Sequence, residues 1–198
     1  MLTFTRYFAR CWSQPQTVAA SAQAEGQAGI RSRLASLRGS PSAVLPSAAI
    51  LELENSLPML FSQEYPQVLT HGDLSRTNIL VNKDTYEITG IVDWSLAAVL
   101  PFGMELDCLL LTTGYMSRSG WHDYACHLKL HTAFWEEFWA ASGIENMHWE
   151  KVRAMAELAA KIGAILRYAF QRNANGSPSQ VVLASDRIPK YLKAWFSD

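Results

Sequence analysis

Two apolar, β-branched runs, Ile79-Leu80-Val81 and Ile88-Thr89-Gly90-Ile91-Val92, flank the polar stretch Asn82-Lys83-Asp84-Thr85. That pattern predicts a β-hairpin. Antiparallel arms of similar length return the chain to where it started. Asn78, just before the first arm, and Asp93, just after the second, are therefore expected at the same open end. Whatever leads into Asn78 and out of Asp93 must pack around that end.

The flanking residues are chemically pointed. The approach reads His71-Gly72-Asp73-Leu74-Ser75-Arg76-Thr77-Asn78, and the exit reads Ile91-Val92-Asp93-Trp94. Three oxygen-bearing side chains, Asp73, Asn78 and Asp93, thus surround one hairpin. Phosphoryl transfer needs such a set: one carboxylate beside the attacking hydroxyl, and an amide plus a second carboxylate on metal bound to ATP. Mg²⁺ prefers oxygen ligands and keeps several waters beside one or two carboxylates. Asn78 and Asp93 would form that partial cage. Asp73, on the loop entering the hairpin, is expected to face the substrate hydroxyl. Singly, an H-x-D triplet or an Asn before a strand is ordinary turn chemistry. It is the conjunction with the hairpin and the Asp-Trp pair that carries the reading.

The loop matches the H-R-D-L-x-x-x-N pattern of protein kinases except that Gly72 replaces Arg. Over residues 68 to 107 the chain more closely resembles the aminoglycoside phosphotransferase and choline kinase group of small-molecule kinases, especially the fungal members. The residues carrying this are His71-Gly72-Asp73-Leu74, Asn78-Ile79-Leu80-Val81, Gly90-Ile91-Val92-Asp93-Trp94 and Pro101-Phe102-Gly103-Met104-Glu105-Leu106-Asp107. Trp94 favours this group over protein kinases, where D-F-G is expected. Ser75-Arg76-Thr77 departs from the His-Pro-Gly the group often shows. The resemblance implies Asp73 as catalytic base and Asn78 and Asp93 as Mg²⁺ ligands, supported by His71 and Trp94. It implies Mg²⁺ and ATP as cofactors and a small-molecule substrate. The implied fold class is α+β and mostly helical: the C-terminal lobe of the protein-kinase-like fold, with a short hairpin carrying the catalytic loop. The single domain would comprise leading helices and linker over 1–66, catalytic loop and hairpin over 67–107, and a helical subdomain over 108–198.

A kinase also covers the ATP phosphates with a glycine-rich loop and pairs them with a strand lysine and a helix glutamate. The sequence has no lysine before Lys83, and Gly26, Gly29 and Gly39 form no G-x-G-x-x-G. The expectation is a lower lobe whose upper, ATP-binding lobe is absent, either a shortened gene product or a fragment of a longer protein. The chain alone is then expected to bind ATP weakly. A partner chain could supply the missing lobe. Two alternatives follow: a non-phosphorylating binding module on the same scaffold, or an enzyme of specialised metabolism using the scaffold without ATP.

Composition suits one domain. The chain has 198 residues, is 49% hydrophobic and 18% charged, and carries a net charge of −1. That length buries a real core, and the balance gives no electrostatic case for nucleic acid. No run approaches the ~20 apolar residues of a membrane span. Cys11, Cys108 and Cys126 are odd in number and irregularly spaced, which argues for a reducing compartment rather than a disulfide framework. The expected location is cytoplasmic. A mitochondrial presequence is the alternative, because residues 1–24 hold Arg6 and Arg10 and no acid. The favoured reading of Thr5 to Ser13 is a leading amphipathic helix, with Phe4, Phe8 and Trp12 on one face.

Elsewhere the periodicity is helical. Thr17 to Gly29 reads as helix or linker. Leu34–Leu37, Ile50–Phe61, Met104–Thr113, Trp121–Ala141, Trp149–Arg172 and Ile188–Phe196 read as helical. His122, Cys126, His127 and His131 could suggest zinc, but no second ligand pair has suitable spacing. Asn175-Gly176-Ser177 matches a glycosylation acceptor and reads as a turn.

Overall fold

The computed structural model describes residues 2–40, 45–183, 192, 195 and 196. Three helices lead: α1 (Leu2–Ser13), α2 (Ala20–Arg38) and α3 (Ser47–Leu60). Four short strands follow: β1 (Gln67–Thr70), β2 (Ile79–Val81), β3 (Ile88–Ile91) and β4 (Ala98–Pro101). A 3₁₀ turn (Leu106–Leu109) runs into α4 (Leu110–Thr113). Next come β5 (Gly114–Met116), β6 (Trp121–Asp123), α5 (His127–Ser142), α6 (Trp149–Tyr168), β7 (Phe170–Arg172) and β8 (Pro178–Val182). The class is α+β: helices with four two-stranded antiparallel sheets, β1-β4, β2-β3, β5-β6 and β7-β8.

The expected hairpin is present. Ile79 sits opposite Ile91 and Leu80 opposite Gly90, with an irregularity between Leu80 and Val81. The turn is longer than Asn82–Thr85, because the Asn82 backbone N–H donates to the Glu87 carbonyl at 2.8 Å. Asn82 Oδ1 accepts the backbone N–H of Asp84 and Thr85, the Asx-turn chemistry that suits this residue.

Two hydrophobic clusters hold the helices. One joins Ile30, Leu34 and Leu37 of α2 with Ile50, Leu53 and Leu57 of α3 and Ile162 and Ile165 of α6. The other joins Phe4 and Phe8 of α1 with Phe134, Phe138 and Trp139 of α5, and with Phe102 and Leu106. The aromatic face of α1 thus packs on α5, as its spacing predicts. Phe102 and Phe138 stack with centroids 5.3 Å apart, and Trp12 meets Phe102 edge-on at 5.0 Å. Gly163 lets Met104 lie against α6, since a Cβ there would overlap the Met104 carbonyl.

Several helix boundaries differ from expectation. From Ala20 on, the stretches Thr17–Gly29 and Leu34–Leu37 form one helix, α2, whose buried Ile30, Leu34 and Leu37 anchor it on α3. Met104–Thr113 is not one helix but a 3₁₀ turn and a short α4. Trp121–Ala141 is split: Trp121–Asp123 pairs with Gly114–Met116, and α5 starts only at His127. Backbone pairing across the Ser117–Gly120 turn outcompetes helix there. Leu128, near the start of α5, is 71% exposed. The helix expected to reach Arg172 stops at Tyr168, and Phe170–Arg172 turns back through Asn173–Ser177 to pair with β8. The closing helix Ile188–Phe196 lies outside the described residues, apart from helical positions 192, 195 and 196. No helix among the described residues is long and apolar enough to cross a membrane.

Candidate functional site

The loop between β1 and β2 carries the predicted residues, and its backbone is tied at nearly every step. β1 is paired with β4, Thr70 opposite Ala98. His71 follows and is fully buried. Its Nε2 lies 2.7 Å from the Val92 carbonyl, and its Nδ1 faces the Asp73 backbone N–H at 3.2 Å. A carbonyl only accepts and an amide only donates. The network therefore assigns the neutral tautomer with the proton on Nε2. The ring packs against Trp94 at 4.8 Å. Trp94 in turn donates its Nε1–H to the Ile91 carbonyl at 2.9 Å. His71 and Trp94 together brace the exit strand against the entry loop.

Gly72 explains the departure from the H-R-D pattern. Its φ is +81°, and a Cβ there would overlap the Leu96 carbonyl. The 94–96 turn occupies the space a side chain would need, so glycine is the residue this packing admits.

Glu105 is the residue that sequence reasoning missed. Its carboxylate accepts the His71 N–H at 3.0 Å through Oε2 and the Gly72 N–H at 2.8 Å through Oε1. It is 6% exposed. Burial lifts its carboxyl above the ordinary range, and the two amides pull the other way. A carboxylate accepting backbone N–H groups forms charge-assisted bonds, stronger than neutral ones. Arg167 makes the next tie, donating from Nη1 to the Leu74 carbonyl at 2.9 Å. It also faces the buried Asp107, Nε to Oδ2 at 2.9 Å. That approach is close but not aligned as a hydrogen bond. Burial pushes the Asp107 carboxyl up to about 7, against the pull of Arg167. Arg167 is itself held above its ordinary range by the Asp107 charge. A guanidinium does not give up its proton, so Arg167 stays charged and offsets only part of the burial that holds the Asp107 carboxyl up. Two acids, Glu105 and Asp107, inside the otherwise apolar run Pro101–Leu111, and an arginine amid the apolar residues of α6, are the available signals for these residues.

Asn78 closes the loop. Its Nδ2 donates to the Asp73 carbonyl at 2.9 Å, which leaves Oδ1 as the amide's acceptor atom. Its backbone carbonyl accepts the Val92 N–H at 2.9 Å. Asp93 is the next residue, so Asn78 and Asp93 share the open end of the hairpin. Asp93 is exposed and sits at φ 62°, ψ 61°. That left-handed conformation is uncommon outside glycine, and Asp tolerates it better than most residues. Asp93 Oδ1 accepts the Ser95 hydroxyl at 2.8 Å. Arg76, beside Asp73 in the loop, ties to the Leu111 and Gly114 carbonyls.

The structure thus brings His71, Asp73, Asn78, Asp93 and Trp94 to one end of the hairpin. Among the described residues no group of three or more His, Cys, Asp or Glu side chains is placed to hold a metal ion. An amide and one carboxylate at an open edge form the incomplete donor set that Mg²⁺ uses when waters and phosphate oxygens fill the rest. The donor chemistry fits. His122 and His131 do not converge: His122 lies on β6 with its Nε2 against the Ser117 and Ser119 hydroxyls, and His131 lies on α5 against Trp135. A cavity of about 220 Å³ lies against the loop, bordered by Gly72, Leu96, Glu105, Arg167 and Arg172.

No curated protein matches the chain. The APH family, described as a phosphotransferase enzyme family, matches residues 5–154, which take in α1, the loop, the hairpin and α5. The chain is a member of the APH phosphotransferase enzyme family.

Proposed function

We propose that this chain works as an ATP- and Mg²⁺-dependent phosphotransferase acting on a hydroxyl of a small molecule. The observation that carries the reading is the backbone bond from Val92 to Asn78, which sets Asp93 beside Asn78 while the Asn78 side chain holds the Asp73 carbonyl. In this reading Asp73 accepts the proton of the attacking hydroxyl. Asn78 Oδ1 and the Asp93 carboxylate hold Mg²⁺, whose charge would offset that of the phosphates. His71 and Trp94 keep these groups in register. Remaining contacts to ATP would come from a second polypeptide segment, so the isolated chain binds Mg-ATP weakly.

The test is phosphoryl transfer from γ-labelled ATP to a panel of small-molecule alcohols, with the intact chain and Asp73→Asn. Loss of a general base costs about 10²- to 10⁴-fold in rate, whereas a loop Asp→Asn change alters stability little. Turnover unchanged in Asp73→Asn would remove the base assignment. A scaffold that binds but does not phosphorylate is the second reading. It predicts ligand binding indifferent to Asp73→Asn.

A further inference from the structure

We infer that Tyr7, on the leading helix, is a positioning residue for the Asp73 loop, acting through Glu105. The inference rests on the reading of Asp73 as the catalytic base. Tyr7 is 98 positions from Glu105, yet its hydroxyl donates to Glu105 Oε2 at 3.2 Å. The same oxygen accepts the His71 N–H at 3.0 Å, and the other accepts the Gly72 N–H at 2.8 Å. The peptide that follows His71 and Gly72 belongs to Asp73. One carboxylate thus joins α1 to the two residues that aim the proposed base.

The geometry is that of a fixed fork rather than a surface contact. Glu105 is 6% exposed, and Tyr7 is half-buried. A carboxylate that ends a side chain rotates unless its oxygens are claimed from fixed directions. The two backbone donors come from one side, along the loop. Tyr7 comes from another element and fixes Oε2 from there. Burial, then the Glu105 charge, push the Tyr7 phenol above its ordinary range, so the hydroxyl keeps its proton and stays a donor. The Tyr7 ring is itself held, edge-on to Phe8 at 5.0 Å. Phe8 is buried against Phe134 of α5 at 6.0 Å. The helix also reaches β1, where the Cys11 thiol approaches the Leu69 carbonyl at 3.9 Å. Docking of α1 is therefore transmitted to the loop through a polar contact.

The test compares Tyr7→Phe with Phe4→Leu in the full chain. Tyr7→Phe keeps the ring and deletes one hydroxyl. Phe4→Leu thins the buried face of the same helix without touching Glu105. The readouts are the amide proton shifts and solvent exchange of His71 and Gly72 by NMR, with denaturant unfolding alongside. We expect Tyr7→Phe to move both amide shifts and to speed their exchange roughly 3- to 10-fold, the factor one hydrogen bond carries. Phe4→Leu should lower the unfolding midpoint and leave both shifts in place. Phosphoryl transfer by Tyr7→Phe should fall in kcat by a similar factor with the KM for Mg-ATP unchanged. The inference is overturned if Tyr7→Phe leaves the two amides at their wild-type shifts and exchange rates, or if Phe4→Leu moves them equally. Turnover unchanged in Asp73→Asn sinks the base assignment instead, and the amide readout does not depend on it.

Discussion

The two halves of the candidate site are built in opposite ways. The Asp73 loop is half-buried and tied: Glu105 takes the His71 and Gly72 amides, Arg167 takes the Leu74 carbonyl, and Asn78 takes the Asp73 carbonyl. The Asp93 edge is exposed, and Ser95 is its one side-chain partner among the described contacts. A group that must aim one atom gains from fixed supports. A group that is to accept a cation gains from free oxygens. The protein spends its hydrogen bonds on the first and leaves the second open. Perturbing the loop supports should cost stability, and perturbing the hairpin edge should cost little.

The largest effect is expected at Glu105. Glu105→Ala strands the buried His71 amide and the half-buried Gly72 amide, each costing about 1–3 kcal/mol when its partner is removed. A loss of about 3–5 kcal/mol in unfolding free energy is expected, read by urea denaturation. Glu105→Gln keeps one acceptor oxygen and should lose roughly half of that. Equal losses would mean that packing, not the carboxylate fork, fixes the loop.

Below it comes the pH dependence of the support layer. Burial, the largest cause, lifts the Asp107 carboxyl from an ordinary 3.8 to about 7 in the fold. The folded state therefore holds a proton that the unfolded state has released between those values. A raised folded pKa contributes stability that is complete below the unfolded value and is lost as pH rises through the folded one. Unfolding free energy should fall as pH rises from about 4 to about 7, by at most ~4 kcal/mol for this residue, at ~1.4 kcal/mol per unit. Asp107→Asn should flatten that slope. An unchanged slope would mean that the Arg167 contact keeps Asp107 ionised throughout.

Gly72→Ala should follow, at about 2–3 kcal/mol. The φ of +81° strains any Cβ, and the Leu96 carbonyl fills its place. A thermal melt gives the number, and a loss below ~1 kcal/mol would show that the 94–96 turn yields easily.

How much of this could be read from the sequence divides along the same line. The hairpin, and the proximity of Asn78 to Asp93, follow from local patterning: β-branched arms, a polar turn and period-two registry. Leu34 and Leu37 on one helical face, and Phe4 with Phe8 on another, were equally visible. The supports were not, because they are made between distant segments. Nothing local in Glu105 says that its partners are 33 and 34 residues upstream. The β5–β6 and β7–β8 hairpins were hidden for a related reason. Their strands are only three to five residues long, too short to show alternation, and each adjoins a helix whose apolar period reads through it. Trp121–Asp123 and Phe170–Arg172 were therefore absorbed into helices on paper. In the fold, pairing across a turn claims their backbone groups.

The smallest stability change is expected at Asp93, and it separates the two regions most sharply. Asp93 holds a left-handed backbone at φ 62° that glycine adopts freely. Asp93→Gly removes that strain and loses the Ser95 hydroxyl bond, in an exposed setting where such bonds are weak. The chain also gains unfolded-state freedom, which opposes the gain. These terms are each about 1 kcal/mol or less and of mixed sign, so unfolding free energy should move by less than ~1 kcal/mol. Asp93→Ala keeps the strained backbone without the carboxylate, so it should be the less stable of the two. Mn²⁺ is expected to broaden the Asn78 and Val92 amide signals of the intact chain, and both variants, which lose the same oxygen ligand, should lose that broadening. Measured together, denaturation and broadening place the function of Asp93 in its oxygens rather than in the fold. A drop as large as that of Gly72→Ala, or broadening that survives in Asp93→Gly, would return Asp93 to the structural scaffold and erase the contrast between loop and edge.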